Sequence, residues 1–189
     1  VQDGIIETSP IKGTRPSINN QEEDNKLKND LKNSIKDKAE HLMIVDLLRN
    51  DLGKICDIGS INIDKLYDIK TFKTIHHMIT KISGKLKPTI SEVDIFKALF
   101  PGGSITGAPK ESAMKIIDVL ESKPRNIYTG SFGYITPNND MSFNICIRTL
   151  LKMDDKYEYG IGGGIVWDSI AEEEWLEAQQ KSKILEPLL

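Results

Sequence analysis

Cysteine is nearly absent from this chain of 189 residues, with Cys56 and Cys146 the only two. Neither has a further Cys or His at zinc-ligand spacing, which excludes a disulfide framework and a zinc module and leaves both as reduced structural residues. No run of eighteen apolar residues exists, so no membrane-spanning helix is expected. The Val-Gln-Asp-Gly start lacks the charged-then-apolar pattern of a signal peptide, which makes the cytoplasm the expected compartment. Charge of one sign is also lacking: a net charge of -3 and a pI near 5.7 exert no strong pull on nucleic acid or a membrane surface. Small molecules are the expected partners. What is present is a 39% hydrophobic chain without repeats, long enough for one substantial core and read as one domain over residues 1–189.

The stretch from Lys36 to Gly53 carries the strongest pattern. At a helical period Asp37, Glu40 and Ile44 share one face and Ile35, Ala39 and Leu42 the opposite one, while from Leu42 to Leu48 apolar residues go all the way round. A helix apolar on every side is packed between layers, so Asp37 and Glu40 are expected to point into a closed space. A buried carboxylate needs a partner, and a divalent metal is one candidate. Glu174 and Glu177 repeat the i, i+3 spacing near the C-terminus, so two acidic pairs could face one cavity. On spacing alone, four carboxylates on solvated helix faces, where most carboxylates sit, are the commoner explanation of the pattern.

In chain order, Gly4 to Ser9 reads as a strand and Pro10-Ile-Lys-Gly-Thr14-Arg-Pro16 as a short rigid bend carrying Lys12. Lys12 is either one solvated lysine among many or an amine that, desolvated near a metal, becomes nucleophilic. Ser17 to Asn29 is polar. Leu27, Leu31, Ile35, Leu42 and Val45 then recur at helical intervals up to Gly53, read as a C-cap. Ile58–Phe72 and Thr74–Leu86 read as strands, the second carrying His76 and His77, of which at most one can enter a given site.

Thr89–Phe100 reads as a short helix with Ser91 and Asp94 as a capping box and Val93, Phe96, Leu99 and Phe100 facing inward. A glycine-rich turn, Pro101 to Lys110, leads into a helix with Ala113, Ile116, Ile117 and Leu120 on its inner face. Its amides suit an anion, although the spacing matches no phosphate-binding fingerprint. Asn126–Thr136, Met141–Met153 and Tyr157–Trp167 read as an antiparallel meander, with Asn144 and Arg148 on one face of the middle strand. Glycines 160 and 162–164 in the third run imply that something approaches the backbone closely.

Taken in order, the Pro-Ile-Lys-Gly-Thr bend, the Ala39-Glu-His-Leu-Met-Ile-Val-Asp-Leu-Leu-Arg-Asn-Asp-Leu-Gly53 helix, the His77-Met-Ile-Thr strand, Tyr128-Thr-Gly and Asn144-Ile-Cys-Ile-Arg-Thr149 closely resemble the chorismate-binding enzymes across nearly the whole chain. The resemblance implies an α+β fold of antiparallel sheets packed as a sandwich with helices outside, incomplete at the N-terminus because that fold normally includes a further N-terminal portion. It implies magnesium (Mg2+) held by Glu40 and Glu177, with Asp37 and Glu174 as supporting carboxylates. His77 resembles the acid/base histidine. Tyr128, Arg148 and Gly162 resemble the groups that grip the enolpyruvyl carboxylate, and Thr106 and Gly107 the ligand-lining loop.

Lys12 stands where the anthranilate-forming branch typically has alanine. The bend therefore resembles the branch that aminates chorismate at C4 to 4-amino-4-deoxychorismate, on the way to p-aminobenzoate and folate, with ammonia from a glutaminase subunit in a heterodimer. A sibling activity such as anthranilate formation is the alternative, and an inactive ligand-binding or interaction scaffold is the second.

Overall fold

The run from Ile75 to Lys85, in which Ile75, Ile79, Thr80 and Ile82 are β-branched, forms a strand of 11 residues that is buried along most of its length. The structure, a computed structural model, describes residues 1–188, with side chains through residue 185. Strands β1 (Ile5–Thr8), β2 (Ile11–Pro16), β3 (Asn62–Thr71) and β4 (Ile75–Lys85) make one antiparallel sheet in which every other strand pairs with β4. β3 lines one edge, with Ile69 opposite Met78. β1 and β2 share the other edge end to end, Ile5 opposite Lys85 and Ile11 opposite Ile79. The division falls at Pro10, which has no N–H to give to a ladder but accepts from the Thr80 N–H at 3.3 Å.

The long helix expected up to Gly53 is two helices, α1 (Gln21–Asn33) and α2 (Ile35–Ile55). Ser34 breaks it: its backbone is extended at ψ 115° and its hydroxyl accepts from the Asp37 N–H at 3.2 Å, capping the second helix. Gly53 is not a cap, since α2 runs through it and ends at Cys56. α2 buries His41, Ile44, Val45, Asp51, Leu52 and Ile55, while Ile35, Leu42 and Met43 are exposed. The helix is thus amphipathic in this unit, with Asp37 and Glu40 half-buried on its inner side.

Helix α3 (Glu92–Leu99) has the expected Ser91–Asp94 capping box, but its buried residues are Ile95 and Ala98, and Val93 and Phe100 are exposed. The core joins Ile6, Val45, Leu52, Ile55, Cys56, Ile82, Ile95, Ala98 and Met141. Each large aliphatic side chain there contributes about 1.5–3 kcal/mol by leaving water.

Contacts divide the chain into two units, Val1–Gly103 with Ile135–Met141, and Ser104–Tyr134 with the chain from Ser142 onward. In the second lie most of α4 (Gly103–Thr106), α5 (Lys110–Leu120), the paired strands β5 (Ser131–Ile135) and β6 (Met141–Ile145), the antiparallel pair β7 (Leu150–Met153) and β8 (Lys156–Tyr159), and α6 (Ala171–Ser182). The expected three-strand meander is therefore two two-stranded sheets. Cys146 donates to the Gly130 carbonyl and accepts from the Thr129 N–H, and the chain then turns, with Arg148 at φ +55°, before β7 begins. On α5, Ile116 and Leu120 are exposed rather than inward-facing. Among the described residues no helix is long and apolar enough to cross a membrane. The α+β class with antiparallel sheets is as the sequence implies.

His41, fully buried, ties α2 to β4 through a 2.7 Å bond between Nε2 and the Thr80 hydroxyl, while its Nδ1 has no hydrogen-bond partner among the described residues. Burial pushes its pKa below the usual imidazole value of about 6.5. The unfolded chain therefore binds the proton more tightly, so this contribution to stability is complete above that value and is lost as pH falls below it. Urea unfolding midpoints should fall between neutral pH and about pH 5, and more steeply in the parent than in His41→Gln. Equal pH slopes in the two proteins would contradict this role for His41.

Candidate functional site

In the first unit the candidate residues gather along β4 and the strand beside it. Lys12 stands opposite Met78 and Thr14 opposite His77, with a register shift at Gly13 between them. Gly13 is the extra residue of a bulge, at φ +78°, and a Cβ there would fall 2.8 Å from Leu31 Cδ1 and 3.1 Å from Asp37 Oδ1. Lys12 and His77 thus lie one residue apart across the strand pair. The His77 Nδ1 is bonded to the Thr14 hydroxyl at 2.9 Å, and its ring meets Phe72 edge-on at 5.8 Å.

His76 faces the other way, as strand parity requires. It is buried between Asp24, 2.9 Å from Nε2, and Thr71, 3.0 Å from Nδ1. Asp24 also accepts from the Ile18 N–H, and that bond, with the one from His76, holds its carboxyl below the usual range. His76 is accordingly a structural residue that fastens α1 to the sheet.

The two acids of α2 differ. Asp37 is taken by Arg15, whose Nη2 donates to it at 3.0 Å. The side chain of Glu40, half-buried, makes no hydrogen bond or ion pair among the described residues.

The second unit builds its own constellation. The Tyr128 ring lies against the glycine-rich segment, which leaves strand geometry after Tyr159. A Cβ on Gly160 would fall 2.2 Å from Tyr128 Cγ, and one on Gly162 would fall 2.7 Å from its hydroxyl. The group that approaches this backbone closely is therefore the tyrosine itself. Burial raises the Tyr128 pKa, and the Arg125 guanidinium, chelated by Glu121, stands 5.9 Å from its ring centre.

On α6, Glu174 accepts from the Ser169 hydroxyl at 2.7 Å and lies close to Gly163, and Glu177 pairs with Lys181 at 2.5 Å. Lys181 also donates to the Gly162 carbonyl at 3.0 Å, so helix and glycine segment are joined. Arg148 is exposed and lies outside any strand, so the parity argument that paired it with Asn144 does not apply. Thr106 ends α4, and Gly107 follows at φ +134°. Within neither unit do three or more described His, Cys, Asp or Glu side chains form a cluster able to hold a metal.

The sequence model of the chorismate binding enzymes matches residues 1–187. The chain belongs to that family. Anthranilate synthase component 1 of Saccharolobus solfataricus is 44% identical over 98% of this chain and 44% of its own length. Aminodeoxychorismate synthase component 1 of Salmonella typhimurium is 43% identical over 100% of this chain and 42% of its own. The crystal structure of anthranilate synthase component I from Streptococcus pneumoniae superposes with a TM-score of 0.88 at 38% identity, over 97% of this chain and 40% of that one. The chain therefore spans less than half the length of these family members, and overall identity does not separate the two branches.

Sequence reasoning overlooked Thr14 and Arg15 as parts of the framework around Lys12. The signal that would have found Arg15 is Ser34, a capping residue three positions before Asp37, which starts a new helix and leaves Asp30 and Asp37 on separate elements. Gly160→Ala should destabilise the protein by about 1–3 kcal/mol through overpacking against Tyr128, read in thermal or urea unfolding. Gly53→Ala, whose nearest foreign atom would be Ile61 Cδ1 at 4.0 Å, should stabilise it by about 0.5–1 kcal/mol through helix propensity. Equal effects at the two positions would overturn the packing role given to Gly160.

Proposed function

We propose that this chain is the catalytic portion of an aminodeoxychorismate synthase, converting chorismate and ammonia to 4-amino-4-deoxychorismate. The observation that carries the reading is Lys12, an amine set on a bulged bend one residue across the strand pair from His77. A bulge re-aims the side chains beside it, and the Thr14 bond orients the imidazole. In the proposed step the neutral Lys12 amine forms a C–N bond to the ring as the C4–O bond breaks and the ring double bond shifts. His77 supplies the proton with which the hydroxyl leaves as water. Ammonia then forms the C4–N bond as the ring double bonds shift back, the lysine C–N bond breaks with its electron pair returning to Lys12, and the new ammonium gives a proton back to His77. A glutaminase partner would supply the ammonia.

Magnesium belongs to the same reading. Carboxylate oxygens are the ligands it prefers, and when bound it would hold the ring carboxylate and draw charge from it. Glu40 fits that task as a half-buried acid without a protein partner among the described residues. Glu177 fits if Lys181 shares it, and Glu174 can support it from Ser169. Asp37 does not fit, because Arg15 already neutralises it. Tyr128, Arg148 and the Gly162 backbone would grip the second carboxylate, and Thr106 and Gly107 would line the ligand loop.

The sibling reading, anthranilate synthesis, has its support in relatives of equal similarity and is opposed by Lys12. A protein of full family length carrying this chain should consume chorismate with magnesium and ammonia and release pyruvate only after a separate lyase is added. Direct release of anthranilate and pyruvate would overturn the assignment.

A further inference from the structure

We infer that Arg15 is a positioning residue for the bend that carries Lys12, and that Asp37 is its anchor rather than a metal or substrate ligand. The guanidinium is spent on three acceptors. Nε donates to Asp30 of α1 at 2.6 Å, Nη2 to Asp37 of α2 at 3.0 Å, and Nη1 to the Thr14 carbonyl at 2.9 Å. Two helices on either side of the Ser34 break are thereby fastened to the backbone between Gly13 and Arg15. The forked geometry is one that a lysine ammonium cannot reproduce. Asp37 and Leu31 also close over Gly13, so the acid that anchors Arg15 walls the bulge as well. On the far side Thr14 is bonded to His77. The bend is held from helix and sheet together, which fixes the backbone on both sides of the bulge at Gly13 that sets the direction of Lys12.

The inference rests on the catalytic reading of Lys12, and its test separates the two. Backbone hydrogen exchange at residues 12–14 needs no substrate. It should quicken by about tenfold or more in both Arg15→Lys and Asp37→Asn while protection in β4 is retained. Arg49→Lys, whose pair with Asp46 lies elsewhere on α2, should leave those amides unchanged. Arg15→Lys keeps a cation between the two acids, so the fold survives the change. Magnesium binding followed by calorimetry should be the same in Asp37→Asn as in the parent. In the full-length protein both variants should lose about 100-fold in kcat with KM for chorismate nearly unchanged. Unchanged exchange at residues 12–14 in Arg15→Lys would overturn the inference, as would weakened magnesium binding in Asp37→Asn. A parent protein without chorismate amination would sink the functional reading and leave the exchange result standing.

Discussion

Pairing on both edges of β4 is the constraint on which the first unit depends. A strand with β3 on one side and β1 and β2 on the other cannot slip in register without breaking three ladders at once. Its alternation is thereby locked. His76 turns to Asp24 and Thr71, Thr80 to His41, and His77 is left beside Thr14. The central strand is at once the core of the unit and the ruler along which the chemically capable side chains are spaced.

Against that ruler, local departures from regular structure place individual side chains. The bulge at Gly13 breaks the alternation of β2 where Lys12 stands, and the Ser34 break divides one amphipathic pattern into two helices that Arg15 then joins. In the second unit the glycine segment gives up strand pairing so that the Tyr128 ring can lie against it. Each departure leaves room for a side chain that a regular element would exclude.

The element types were legible from periodicity wherever packing follows it. The Ser91–Asp94 capping box, the long strand at Ile75 and the helix around Val45 follow directly from hydrophobic spacing and cap chemistry. The parity that sets His76 and His77 on opposite faces also holds, with one buried and the other partly open. What spacing concealed was competition for the same group. Asp37 and Glu40 look equivalent one turn apart, yet only Asp37 lies within reach of an arginine from a strand distant in sequence. The inner faces assigned to Phe100, Ile116 and Leu120 failed for a related reason, because an apolar stripe shows that a face can be buried, not that this stretch of chain covers it. Arg148 was misplaced because a left-handed residue interrupts a run that composition alone reads as one strand.

The central claim is that Lys12 is a nucleophile held in place rather than a solvated lysine. Intact-protein mass spectrometry of a full-length protein carrying this chain, incubated with chorismate and magnesium but without ammonia, addresses it directly. The account predicts a covalent ring adduct on the parent, mapped to Lys12, that ammonia discharges and that is missing from Lys12→Ala. A Lys12→Ala variant that aminates chorismate at the parental rate, without any adduct forming on the parent, would contradict it.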